Sequence, residues 1–228
     1  MKTIRIVLSC IALGLLIGAC QNPDSRSGTN TEDTSANEHM SSMGSDTSMM
    51  GQDSSMMAGM NAMMKEMHRM KMTGNADYDL AMMLKHHHQG AIDMSEAELR
   101  SGTDEQLKDM AQKTIDIQKK EIRDLEAIAD KYKSGPKNYD PANKNEGLGQ
   151  DMDKSMRSMM EMGHDMSKST DHQFASMMKK HHKDGVEMGE MIVKHAKDAN
   201  FKSMTQKTMK EQKKDIEKLD EWLDKHKK

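Results

Sequence analysis

The sequence predicts an all-α protein, an antiparallel helical bundle built from two duplicated three-helix repeats, and three observations carry that expectation. Aromatic residues are 3% of the chain, with 3 Pro and 15 Gly against 31% charged residues, a mix that suits helices and disfavours sandwiches, barrels and doubly wound sheets. Leu, Ile, Val and Phe make up only about a tenth of the chain beyond residue 20, so the 29 Met residues must supply much of any core; Met is a good helix former that packs adaptably. Shifted by 94 residues, Asp77 to Tyr132 aligns without a gap on Asp171 to His226, with 21 of 56 positions identical, the signature of an internal duplication.

The chain opens on an export signal. Lys2 and Arg5 precede an apolar run from Ile6 to Ile17, which ends at Ile17-Gly18-Ala19-Cys20. A charged start, a short apolar stretch and small residues at its end describe a secretory signal too short to span a bilayer. The ending looks like a bacterial lipobox, which implies removal of residues 1–19 and lipidation of Cys20; an ordinary cut near Ala19 is the plainer alternative. Cys10 is discarded either way, so a lipidated Cys20 leaves no free thiol and no disulfide. Net charge is −3, and loss of Lys2 and Arg5 makes it 32 minus 37, or −5. No basic face recruits nucleic acid.

Residues 20–55 begin polar and without apolar period, and read as a disordered tether holding the domain off a membrane. Repeat 1 covers 56–133. Met56 to Met72 is a Met-rich helix stopped near Gly74; Tyr78 to Ser101 follows an Asp77 cap; a capping box over Thr103-Asp-Glu-Gln106 opens a helix to about Lys133. Ser134-Gly135-Pro136 begins a linker over 134–150. Repeat 2, 151–228, repeats the pattern at about 151–167, 171–197 and 200–226, with Thr170-Asp-His-Gln173 as a second cap. Each repeat forms its own bundle, or both share one.

Met83, His87 and Met94 fall at i, i+4 and i+11 on one helical face, with His88 in the neighbouring apolar stripe. Met177, His181, Met188 and His182 reproduce the set. Two histidines per repeat at a core are costly without metal or hydrogen bonds, although satisfied core histidines remain the bland alternative. His68 and His164 recur at matching places in the first helices. The third helices turn Gln118 and Glu121, and Gln212 and Asp215, toward the same interior, where they can orient the imidazoles from behind. Met40 to Met72 contains twelve Met in 33 residues, more than one buried face uses, which argues for binding beyond packing. Thioether and imidazole without thiolate favour Cu(I), or Ag(I) as its mimic, with zinc next through the histidines.

The stretches DYDLAMMLKHHHQGAIDM and DHQFASMMKKHHKDGVEM, each followed by a Gln-x-x-Glu-Ile or Gln-x-x-Asp-Ile helix, resemble a bacterial family labelled a domain of unknown function. Its pattern is a Met pair, then His-His-Gln-Gly-Ala-Ile-x-Met. The first half matches at His87 to Ile92, Met94, Gln118, Glu121 and Ile122. The second keeps His181, His182, Met188, Gln212 and Ile216, but has Lys183-Asp184-Gly185 for Gln-Gly-Ala and Asp215 for Glu. The resemblance implies a ferritin-like bundle and relatives that are periplasmic Met- and His-rich copper binders.

The expectation is therefore a non-enzymatic protein, lipid-anchored in the cell envelope at the periplasmic face of a membrane. It binds Cu(I) or Ag(I) for tolerance, sequestration or trafficking, and copper-handling envelope proteins are its expected partners. Gln21 after Cys20 points to the outer membrane if the enterobacterial sorting convention applies. Two alternatives stand beside it. A ferritin-like metal-dependent oxidase would need inward Glu and Glu-x-x-His pairs, which neither His-His helix has; an envelope scaffold would use Met for packing alone.

Overall fold

The computed structural model describes residues 50–161 and 168–227, with side chains from residue 56 onward; the candidate lipidation site Cys20, residues 20–49 of the tether and His164 lie outside them, while residues 50–55, expected in the disordered tether, begin the first helix. The described residues form six helices and no strand: α1 (Met50–Arg69), α2 (Ala76–Ser101), α3 (Glu105–Tyr132), α4 (Gly147–Met160), α5 (Thr170–His195) and α6 (Ala199–Lys225). None is long and apolar enough to cross a membrane.

The helix starts are set by short polar side chains, though not all by the expected ones. Asn75, not Asp77, caps α2 and accepts from Tyr78 N at 3.2 Å. Asp104, not Thr103, caps α3 through Leu107 N at 3.0 Å, and Ser169, not Thr170, caps α5 through His172 N. Asp198 caps α6 through Phe201 N at 2.9 Å. A cap must sit just outside the first helical turn, where its side chain can reach back to the free N–H groups. Asp77 lies inside that turn and is put to another use.

Asp77 is buried and accepts from Lys197 N and Asp198 N, both at 2.8 Å, at the start of α6. Asp171, 94 positions later, accepts from Thr103 N at 2.7 Å and Asp104 N at 2.9 Å at the start of α3, and also from the Thr103 hydroxyl at 2.8 Å. Each half thus satisfies the orphan donors at a helix start of the other half. Trp222 Nε1 adds a bond to Asp104 at 2.9 Å, and Tyr132 Oη one to Asp198 at 3.0 Å. These reciprocal ties make one shared bundle of the two halves.

At its centre α2 packs on α5. α3 and α1 cover α2, and α6 and α4 cover α5, while α3 and α6 barely approach each other. The central pair is buried round most of its circumference, as expected for helices enclosed on several sides. α1 turns to α2 through Gly74, whose φ of 86° is left-handed and cheap only for glycine.

Three expectations are corrected by the packing. The linker is shorter than 134–150, because α4 starts at Gly147, and it is tied down: Asn138 N and Tyr139 N donate to Gly74 O, and the Tyr139 hydroxyl to Asp79 at 2.6 Å. α4 ends at Met160, well before residue 167. Of the twelve Met from Met40 to Met72, the eight from Met56 onward are used in packing, while Met40, Met43 and Met49 lie outside the described residues. Met56, Met60, Met63 and Met67 form a buried stripe, and Met57, Met64, Met70 and Met72 lie partly buried against the same core. α1 can absorb that many because it lies along α2 and also reaches α5. Gly90 on α2 permits the approach: a Cβ there would sit 2.6 Å from Met63 Sδ. Among the described residues Met160 is the large apolar side chain left exposed, at 64%.

Candidate metal centre

Where α2 crosses α5, the four histidines meet. His87, His88, His181 and His182 are at most 2% exposed, because the two helices present them to each other rather than to solvent. The rings of His87 and His181 stack with centroids 3.7 Å apart and planes at 29°. His88 lies 6.5 Å from His87, and His182 lies 6.1 Å from His181. Met83, Met94, Met177 and Met188, on the same helical faces, are buried in the surrounding core.

The ring nitrogens are poorly satisfied. His181 Nε2 is 2.9 Å from the His87 carbonyl oxygen; since a carbonyl can only accept, Nε2 carries the proton and Nδ1 keeps its lone pair. That Nδ1 has no protein partner, nor have both nitrogens of His87 and of His182 or Nδ1 of His88. His88 Nε2 stands 3.0 Å from Glu121 Oε2 without the alignment of a hydrogen bond. The other Glu121 oxygen accepts from the Thr208 hydroxyl. Each unsatisfied buried group costs about 1–3 kcal/mol, so such a set persists in a fold only if something compensates it.

Burial keeps the rings of His87, His181 and His182 neutral. It is the leading cause that drives His87 and His181 well below the ordinary imidazole value, with repulsion from neighbouring imidazoles adding to it. His182 is pushed down to about 4 by burial, against the pull of Asp215. Neutral imidazole is the form that ligates a metal, and burial secures it at neutral pH. Among the described residues no three His, Asp or Glu side chains already stand together at metal-holding distances. Thioether sulfurs lie in the same core as the imidazoles, and imidazole nitrogen together with thioether sulfur is a composition that suits a soft monovalent ion better than zinc.

The two halves are not alike behind the rings. Glu121 reaches His88, whereas Asp215, one methylene shorter, is held by Lys218 at 2.9 Å. Gln118 and Gln212 are buried with unpartnered amide atoms, and Gln212 lies over Gly185, where a Cβ would come within 2.6 Å of Oε1. His68 is exposed on α1, its Nδ1 2.7 Å from Met64 O, and is not gathered with the four.

The sequence reading missed Glu98. It is fully buried on α2, its oxygens without hydrogen-bond donors, and its carboxyl is pushed up to about 8 by burial and then by Asp171 and Asp104. Its place, four residues beyond Met94 on the same face, was the available signal. The position 94 residues later is Ile192.

The fold and centre define an all-helical protein whose middle gathers buried imidazoles among thioethers. The family model described as "Domain of unknown function (DUF305)" matches residues 16–129, 77–169 and 171–228, and the chain belongs to that family. It is similar to two solved structures, "CopM in the Cu(I)-bound form" and "CopM in the Ag-bound form (by soaking)". Each shares 19% identity and a TM-score of 0.50, over 67% of this chain and 98% of its own. At that identity the likeness speaks for the helical fold. No curated protein sequence matches the chain.

Proposed function

We propose that this is a non-enzymatic binder of Cu(I), and of Ag(I) as its mimic, acting in copper tolerance by sequestration or transfer. The observation that carries the reading is the convergence of four buried imidazoles at the α2–α5 crossing, with unpartnered nitrogens and Met83, Met94, Met177 and Met188 on the same faces. Seven ring nitrogens without a well-aligned hydrogen bond are explained by an ion that takes up several of them. The two CopM structures, which contain Cu(I) and Ag, add support from the same helical fold. The reciprocal ties through Asp77 and Asp171 support two duplicated repeats, here assigned to the ferritin-like class. The lipobox at Cys20 supports anchoring to an envelope membrane, with copper-handling envelope proteins as partners.

The test is a Cu(I) titration of the full chain under reductant against a competing chelator, beside a variant with His87, His88, His181 and His182 all changed to Ala. The wild type takes up the ion tightly, and the variant, still helical by circular dichroism, loses the strongest sites. Equal, weak uptake by both would assign the histidines a structural role.

A further inference from the structure

We infer that the seam between α3 and α6 is the port through which a cation reaches the buried imidazoles. This rests on the metal-binding reading but concerns the route, which the four histidines do not reveal. α2 packs closely on α3, and α5 on α6, yet the backbones of α3 and α6 stay apart. Between them lies a cleft of about 100 Å³ with His182 in its lining, room for several waters.

The lining side chains are nearly all polar types, set among their own carbon stems, where a bundle seam is ordinarily built of aliphatic residues. Thr114, Gln118 and Glu121 line it from α3, and Thr208, Gln212 and Asp215 from α6. These are three pairs, each 94 positions apart, so the same side chains face each other across the seam. Gln118 Oε1 and both amide atoms of Gln212 are buried without a protein partner. Amide groups buried beside such a cleft are satisfied by water, or by an ion passing through. Glu121 stands at the inner end beside His88 and also borders a wider outer groove of about 480 Å³, which shares Lys207 with the cleft. The path thus runs from solvent past two carboxylates to an imidazole.

The mouth is lightly closed. Among the described residues two side-chain contacts cross it: Lys113 Nζ to Glu211 Oε2 at 3.9 Å, each about half exposed, and the Thr208 hydroxyl to Glu121. An exposed pair of that kind contributes little and opens readily. The cations at the rim, Lys113 and Lys207, oppose entry of a positive ion, while Glu211 favours it, so rim charge should set the entry rate more than the final affinity.

Two rim variants test the port without touching an imidazole or its supports. Lys207→Glu should raise the Ag(I) or Cu(I) association rate about 3- to 10-fold at low ionic strength, an advantage lost in high salt, with the dissociation constant changed far less. Ile117→Trp, at a half-buried wall position, should slow uptake and release together and leave affinity within about twofold. A readout without metal separates this from the binding reading: histidine C2–H exchange in the apo protein, followed by mass spectrometry, should slow at His182 in Ile117→Trp. If wild type binds no ion, the copper reading falls while slowed exchange still upholds the port. If the ion binds but rates and exchange match wild type in both variants, the port is overturned and the copper reading stands.

Discussion

His87 and His181 lie face to face, ring centroids 3.7 Å apart, and His181 Nε2 donates to the backbone carbonyl of His87 itself at 2.9 Å. They are separated by 94 residues, the offset at which the chain best matches itself. A residue that meets its own counterpart must lie near a local two-fold axis, as at an isologous interface. The ties from Asp77 to α6 and from Asp171 to α3 are likewise related by the 94-residue offset. The imidazoles are therefore held where both halves contribute equally, and neither half can assemble the centre alone.

Replacing His182 by Leu removes two buried, unpartnered nitrogens and keeps an apolar volume of similar size. The apo protein should gain about 1–3 kcal/mol in urea unfolding, while the rise in stability on adding Ag(I) shrinks. A variant less stable in the apo form, with the Ag(I) shift intact, would mean His182 serves packing rather than binding.

Stability should fall on acidification through a defined window. The unfolded histidines take protons near 6.5, whereas folded His182 resists until about 4 and His87 and His181 are also lowered. The favourable term is complete above 6.5 and is lost as pH drops toward 4. For His182 this amounts to roughly 3 kcal/mol, at 1.36 kcal/mol per pH unit. Chemical denaturation between pH 7.5 and 4.5 measures it, and His182→Leu should flatten the slope.

Glu98 acts with the opposite sign. Its folded value is raised to about 8, so its contribution is present below its ordinary carboxyl range and is lost as pH rises toward 8. Glu98→Gln should leave thermal stability near wild type at pH 5 and raise Tm by a few degrees at pH 8. The same Tm difference at both pH values would show that the carboxyl does not titrate in this range.

The cross-half ties should be costly to cut. Asp171→Ala strands two backbone N–H groups and the Thr103 hydroxyl, and Asp77→Ala strands two N–H groups. Each should lose about 1–3 kcal/mol, with Asp171 the larger, as read by thermal unfolding with helicity at low temperature unchanged. An effect confined to a few tenths of a kcal/mol for either would remove it from the joint between halves.

Much of this protein is legible in its residues because the relevant signals are local. Helical period, low aromatic and proline content, and the stops at Gly74 and Ser134-Gly135-Pro136 set six helices nearly where they are found. The inward turn of His87, His88, Gln118 and Gln212 follows from spacing alone. Caps were misread by one or two residues: Asp77 and Thr103 are good cap types in sequence but bond across to the other half, and Thr170 stands beside the side chain that caps, Ser169. Spacing also made the Met of α1 look excessive, since it cannot count how many neighbours a helix touches.

What only tertiary structure decided is the pairing of distant surfaces. That His87 rests on His181, that Glu121 reaches His88 while Asp215 is held by Lys218, that Glu98 is buried, and that α3 and α6 leave a polar cleft all depend on how α2 crosses α5. Sequence determines which face of a helix is apolar; the angle and register at which two such faces meet are fixed by packing the side chains of both together.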